Sequence, residues 1–196
     1  MEEWGGIKLV GHAMIVISII ILIGTVALTI TSSYNSLVEK DQNVILMRGN
    51  IQTSLEQRAD LIPNLVRTIN GSSSFEKGTL IEIVQERSKI EKTTSTKELE
   101  NSRNNIDATI SRLQFIAEAY PTLKTTDSYK SMQEQLANTE NQIRNDRNNY
   151  NAAVRDYQLT VRQFPTNIFA SLFGFNYDRY DTFKSTVDTS VPTTQW

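Results

Sequence analysis

The sequence predicts an all-α protein in which a single N-terminal transmembrane helix continues into a long-helix antiparallel bundle of the four-helix type. Three observations carry that expectation. From Leu9 to Val38 there is no Asp, Glu, Lys or Arg, and the interior from Ala13 to Ile30, AMIVISIIILIGTVALTI, is almost unbroken Ile, Val, Leu and Ala. Beyond it, apolar residues recur three and four apart over long stretches, the period of helices that bury one stripe. No period-two alternation of the kind a half-buried strand needs is present.

The apolar run is long enough to span. Roughly 20 such residues cross a hydrocarbon core of about 30 Å, and Ile7 to Ile30 supplies that length. A cleaved signal peptide would need a basic start, a shorter apolar region and a small-x-small site, whereas this N-terminus carries Glu2, Glu3 and a single Lys8. A core helix of a soluble domain seldom needs so long a charge-free run. Gly24 and Thr25 could seat a neighbouring helix closely. Lys8 and the terminal amine on one side face Lys40 and Arg48 on the other, so the positive-inside rule leaves the side of the bundle open.

After the span, Tyr34, Leu37, Val44, Ile51, Leu55, Ile62, Leu65 and Ile69 alternate three and four apart, with Asp41, Arg48 and Arg58 in the same frame. The membrane helix is therefore expected to run on into the bundle, through Gly49 and past Pro63, and to stop at Asn70-Gly71. Ser73 with Glu76 and Ser95 with Glu98 have capping-box spacing for the next two helices. The second helix should bury Leu80, Ile83, Val84, Arg87 and Ile90. The third should bury Leu99, Ile106, Ile110, Leu113, Ala117 and Tyr120, closed by Pro121. Asp127 can cap a long fourth helix with Tyr129, Met132, Leu136, Ile143, Tyr150, Val154, Tyr157, Val161 and Phe164 inward, ended by Pro165. The chain thus divides into an anchor over 1–30, a bundle over 31–164, and a short amphipathic segment plus tail over 165–196. Residues 176–196 read as a mobile or partner-ordered tail.

Composition excludes several function classes. Lys plus Arg number 20 against 22 Asp plus Glu, a formal net charge of −2, so there is no basic field to hold phosphate backbones and no nucleic-acid partner is expected. Cysteine is absent, which removes thiolate nucleophiles and thiolate metal sites. His12, the one histidine, sits at the membrane edge, so the Glu-x-x-His pairs of a di-metal bundle cannot form. No cofactor, metal or catalytic residue is expected.

The polar residues that stand out are Arg58, Asp60, Asn64, Glu118, Glu140, Asn141, Arg144, Arg147 and Asn151. On a helix Glu140, Arg144 and Arg147 share a face, and Glu140 with Arg144 is a favourable i,i+4 pair. These residues are expected to form an interhelical network that fixes register, with Asp60 and Asn64 satisfying backbone groups freed by Pro63. The tyrosines Tyr120, Tyr129, Tyr150 and Tyr157 are expected to pack in the core.

Three segments, RADLIPNLV (58–66), EAYPTLK (118–124) and TENQIRNDRNNYNAAVRDYQ (139–158), together resemble the LemA family, with YNSLV (34–38) before them and FPTNIFASLFGF (164–175) after. The resemblance implies one N-terminal membrane helix with a small outside N-terminus, followed by a long-helix bundle, and it implies no settled biochemical activity. The chain departs from the family pattern at Arg48-Gly49-Asn50, at Tyr157-Gln158 and in the tail.

The functional expectation is a non-enzymatic, single-pass, membrane-anchored scaffold that self-associates or binds partner proteins at the lipid bilayer. Its alternative is an adaptor or sensor presenting a groove to a membrane peptidase or receptor, docked through the LFGF segment. A hydrolase acting through Glu and Arg ranks below both, since no acid-base pair with a nucleophile can be assembled. Self-association follows from helix lengths: the first helix, Ile7 to Ile69, would reach about 95 Å, whereas the second covers roughly 30 Å. Its stripe near the membrane, at Leu37, Val38, Val44 and Ile45, should lack cover. A homo-oligomer is therefore expected to form through Leu37, Val44, Ile168, Phe169, Leu172, Phe173 and Phe175, and the same surface could take a membrane-protein partner.

Overall fold

A computed structural model describes residues 3–69 and 73–184 of the chain. They form six helices: α1 (Glu3–Ile69), α2 (Ser73–Lys92), α3 (Thr96–Glu118), α4 (Pro121–Lys124), α5 (Asp127–Arg162) and α6 (Thr166–Ala170). No strand forms among the described residues. The Asn70-Gly71 stop, the side chains of Ser73, Glu76 and Leu80, and the tail beyond residue 184 fall outside what is described.

α1 passes through both Gly49 and Pro63 without ending. A proline inside a helix costs about 3 kcal/mol, but each Ile, Leu or Val side chain buried around it returns roughly 1.5 to 3 kcal/mol. Ile62, Leu65, Val66 and Ile69 are all buried, so the apolar stripe outweighs the lost hydrogen bond. The chain divides into two compact units, Met1–Asn43 with Arg155–Arg179 and Val44–Val154 with Tyr180–Trp196.

In the first unit, the described side chains of α1 from Met14 to Thr29 are all exposed. Burial starts at Ser33 and continues with Leu37 and Asp41, one residue per helical turn. Tyr157, Val161, Ala170 and Phe175 are buried in the same unit. After α5 the chain crosses a cis Phe164–Pro165 bond, makes the short α6 and turns at Gly174, whose φ of 79° is the left-handed conformation that ends helices. The Phe175 N–H donates to Ala170 O at 2.9 Å and the Gly174 N–H to Ser171 O at 3.2 Å, the paired bonds of a Schellman turn. That turn brings Phe175 back onto α1. Tyr34 meets Phe173 and Phe175 edge-on, with centroids 5.1 and 6.2 Å apart. Tyr157 Oη donates to Asn176 O at 3.0 Å, and Arg179 pairs with Asp41 at 3.2 Å.

In the second unit α1, α2, α3 and α5 pack as an antiparallel bundle. The register shows in its polar contacts: Asp60 pairs with Arg87, Glu82 with Arg112, Gln114 with Gln133, and Ser54 with Asp146. The core is Val44, Ile51, Leu55, Ile62, Leu65, Ile83, Ile90, Leu99, Ile106, Leu113, Leu136, Ile143 and Tyr150, all buried. At the end of α2, Gln52 Nε2 donates to the carbonyls of Ile90 and Thr93, at 2.8 and 3.0 Å, covering acceptors that a helix end leaves open.

Several expectations are corrected. Leu37 and Val44 are fully buried, at 0 % exposure, so they do not form an uncovered stripe. α2 is not the sole cover for α1: α5 runs 36 residues and the segment after Pro165 folds back onto Tyr34. On α2, Val84 is exposed and Arg87 lies on the surface; among the described residues the buried ones are Thr79, Ile83, Glu86 and Ile90, with Thr93 continuing the 3-4 spacing just past the helix end. Tyr120 lies beyond the end of α3 and is exposed, as is Phe164 beyond α5, because each belongs to a turn set up by the following proline. Ser95 is the N-cap of α3 by backbone geometry but makes no side-chain cap bond. Instead Thr93 Oγ1 donates to Glu98 and accepts from the Ser95 N–H at 3.1 Å. At α5 the capping hydroxyl is Thr126, which accepts from the Tyr129 N–H at 3.3 Å, and Asp127 is the first helical residue. Residues 180–184 are not loose: Phe183 is buried edge-on to Tyr150 at 5.4 Å.

Candidate functional site

The polar interior of the second unit is built around Arg58, which α1 carries into the bundle with little exposure. Its Nε donates to Asp107 Oδ1 at 2.9 Å, and Nη1 donates to Leu136 O at 2.6 Å and Thr139 Oγ1 at 3.2 Å. Nη2 lies 2.9 Å from Asp107 and 3.6 Å from Glu140. Arg103 of α3 donates to Glu140 at 2.8 Å and approaches Asp107 and Glu100 at 3.6 and 3.3 Å. Arg147 of α5 pairs with Glu100 at 3.3 Å. Three guanidiniums therefore face three carboxylates across α1, α3 and α5. Burial works against the charge on Arg103, yet Glu140, Asp107 and Glu100 outweigh it and hold its pKa above the ordinary value.

A strap closes over one end of this network. Arg147 Nη2 donates to Lys184 O at 3.1 Å and its guanidinium lies 5.0 Å from the centre of the Phe183 ring. Asn151 holds the strap in both directions: Nδ2 donates to Phe183 O, and Oδ1 accepts from the Phe183 N–H, each at 2.9 Å. Tyr150 Oη donates to Asp181 O at 3.1 Å. Burial, above all, pushes the Tyr150 phenol up to about 12, with Tyr180 and Asp181 adding to the shift and Arg48 opposing it. Burial and Glu118 also raise Tyr129. Neither phenol is suited to move protons near neutral pH.

Beside the network lies a cleft of about 600 Å³ between α1 and α5, lined by Asn50, Thr53, Ser54, Gln57, Asn138, Thr139, Gln142 and Asp146. Every lining side chain is polar. The buried Asp146 carboxylate accepts from Ser54 Oγ at 2.5 Å and from Gln142 Nε2 at 3.1 and 3.3 Å. The arrangement can offer hydrogen bonds to a polar partner.

Of the residues singled out from sequence, Arg58, Glu140, Arg147 and Asn151 come together here. Asp60 instead pairs with Arg87 at 2.6 Å on the surface, and Asn64 accepts from Arg67; neither side chain turns to the backbone around Pro63. Glu118 reaches Lys124 at 3.8 Å, both exposed. Asn141 and Arg144 are exposed, and the expected Glu140–Arg144 pair is replaced because Glu140 turns inward to Arg103 and Arg58. Sequence reasoning missed Glu100, Arg103 and Asp107, whose three-four spacing on α3 was a usable signal. It also missed Ser54 and Asp146, which no local spacing links.

Fold and site together define a helical bundle fastened by partly buried ion pairs and carried on an apolar N-terminal helix. The chain belongs to the LemA family, whose sequence pattern matches residues 47–196. It is also similar to Magnetosome protein MamQ 2 of Paramagnetospirillum magneticum, 26 % identical over 94 % of this chain and 77 % of that protein. Magnetosome protein MamQ of Magnetospirillum gryphiswaldense is 24 % identical over 93 % of this chain and 76 % of its own length.

Proposed function

We propose that the protein is a non-enzymatic scaffold, anchored in a membrane by a single span, whose bundle associates with copies of itself or with partner proteins at the bilayer. The observation that carries this reading is the continuity of α1: an apolar stretch with none of its side chains buried runs without interruption into the helix that bears the bundle core. Exposure of that many Ile, Leu and Val side chains to water would be very costly, and a bilayer removes the cost. The ionisable groups between α1, α3 and α5 support a structural role, since Arg58, Arg103 and Arg147 face Asp107, Glu140 and Glu100 as ion pairs. The relatives named as magnetosome proteins are compatible with a role of this kind.

The test is extraction and sizing. The full chain should stay in the membrane fraction through an alkaline carbonate wash and should run as a defined multimer in mild detergent. Release by the wash would overturn the anchored reading, and a monomer at every concentration would overturn self-association. The adaptor reading is favoured by one specific feature, the all-polar cleft between α1 and α5. It predicts that Gln57→Leu together with Gln142→Leu abolishes capture of a defined membrane partner while leaving the multimer intact.

A further inference from the structure

In the first unit, Phe164, Ile168 and Leu172 are 76, 58 and 77 % exposed and lie within nine residues, in α6 and the turns on either side of it. The segment itself is pinned, since Phe173 and Phe175 pack against Tyr34 and Ala170 is buried. Single exposed apolar residues need no explanation, but three clustered in so short a pinned segment form an apolar surface.

Position along α1 says what covers that surface. Phe164, Pro165 and Thr166 line a groove with Leu28, Thr29 and Ser32. This is the level at which the exposed Ile, Leu and Val side chains of α1 give way to Thr and Ser. If the span fills the hydrocarbon core, Phe164 stands where acyl chains meet headgroups. Arg155 and Arg162 are exposed within the same unit, and Arg162 lies over the Tyr177 ring at 5.3 Å, the mixture of cationic and aromatic groups that suits a headgroup layer. A second copy fits less well: the three side chains offer roughly 400 Å², about half of what each partner contributes to a stable interface.

We propose that residues 164–172 form a second, interfacial membrane contact, with Phe164, Ile168 and Leu172 inserted into the headgroup–acyl boundary of the bilayer that the span crosses. The inference rests on the anchored reading. An apolar face held this way sits about 5 to 10 Å into the boundary, and two attachments in one unit fix the rotation of α1 about its axis where a lone span would leave it free.

The natural chain has no cysteine, so single sites can be labelled directly. Ile168→Cys, Leu172→Cys, Ile20→Cys in the span and Asn148→Cys on the exposed surface of the second unit each receive an environment-sensitive fluorophore. Each full-length variant is reconstituted at one copy per nanodisc of phosphatidylcholine and phosphatidylglycerol. Labels at 168 and 172 should emit to the blue of the label at 148, and should be quenched by a nitroxide on the shallow part of the acyl chain but not by iodide. Water-like emission at 168 and 172 with a deeply quenched label at 20 overturns this inference and leaves the anchor standing. A blue shift that appears only in discs holding two or more copies assigns the face to copy–copy contact and overturns it as well. Water-like emission at position 20 overturns both readings.

Discussion

Arg58 holds the polar interior together because one side chain reaches two helices. Among the described residues, removing it leaves Asp107 and Glu140 with Arg103 as their one nearby guanidinium and takes away a donor to the Leu136 carbonyl. Breaking a buried pair from one side typically costs about 3 to 5 kcal/mol, so Arg58→Ala should lower the melting temperature of the full chain sharply. Arg58→Lys should recover only part of the loss, since an ammonium cannot reproduce the forked contacts. Arg144→Ala, on the exposed face, should stay within about 0.5 kcal/mol of the parent. Equal effects of the Arg58 and Arg144 changes would place Arg58 outside the core. Tyr150 gives a pH signature. Its phenol keeps its proton more tightly in the fold than in the unfolded chain, so its contribution is complete below the unfolded value of about 10 and is lost as pH rises through the folded value, which is about 12. Denaturant titrations across that window should show falling stability in the parent and a flatter profile in Tyr150→Phe, which at neutral pH should cost about 1 kcal/mol for the lost bond to Asp181.

At the scale of elements, the helices were legible where a stripe repeats and the turns were not. The 3-4 pattern gave α1 through Pro63, and Pro121 and Pro165 marked real breaks, because periodicity and missing N–H groups are local properties. The cap of α3 falls at Ser95 as expected but without a side-chain bond, and that of α5 falls one residue before Asp127, at Thr126, because side-chain bonding at a cap is decided by the local chain geometry. The strap at 181–184 was not legible at all: Asp181, Thr182 and Lys184 read as a solvated tail, and its order comes from Asn151 and Tyr150, some thirty residues earlier. That dependence is measurable. Phe183→Ala should cost about 3 kcal/mol as a buried aromatic, and Asn151→Ala about 1 to 3 kcal/mol by leaving backbone groups of the strap unmet. The double variant should cost less than the sum, because either change alone frees the strap. Additive losses in chemical denaturation would show that the two residues act separately.

For the molecule as a whole, the division of labour along α1 makes a prediction about what the apolar stretch contributes to folding. None of the side chains in its most apolar window is buried, and burial in the first unit begins at Ser33 and Leu37. The core of the second unit draws on Val44 and later residues of α1. Deleting residues 1–30 therefore removes exposed apolar surface and none of the described residues of the core. The shortened chain should be soluble or only reversibly lipid-bound, since Phe164, Ile168 and Leu172 remain as a small apolar face. Its helical signal should fall by no more than the deleted turns account for. Its melting temperature should match that of the full chain in detergent, and Arg58→Ala should destabilise both by the same amount, within about 0.5 kcal/mol. A shortened chain that is unfolded by circular dichroism would show that the apolar stretch belongs to the core. A folded one with an unchanged Arg58 response would establish that the bundle closes on its own ion pairs and that the first thirty residues serve only to attach it.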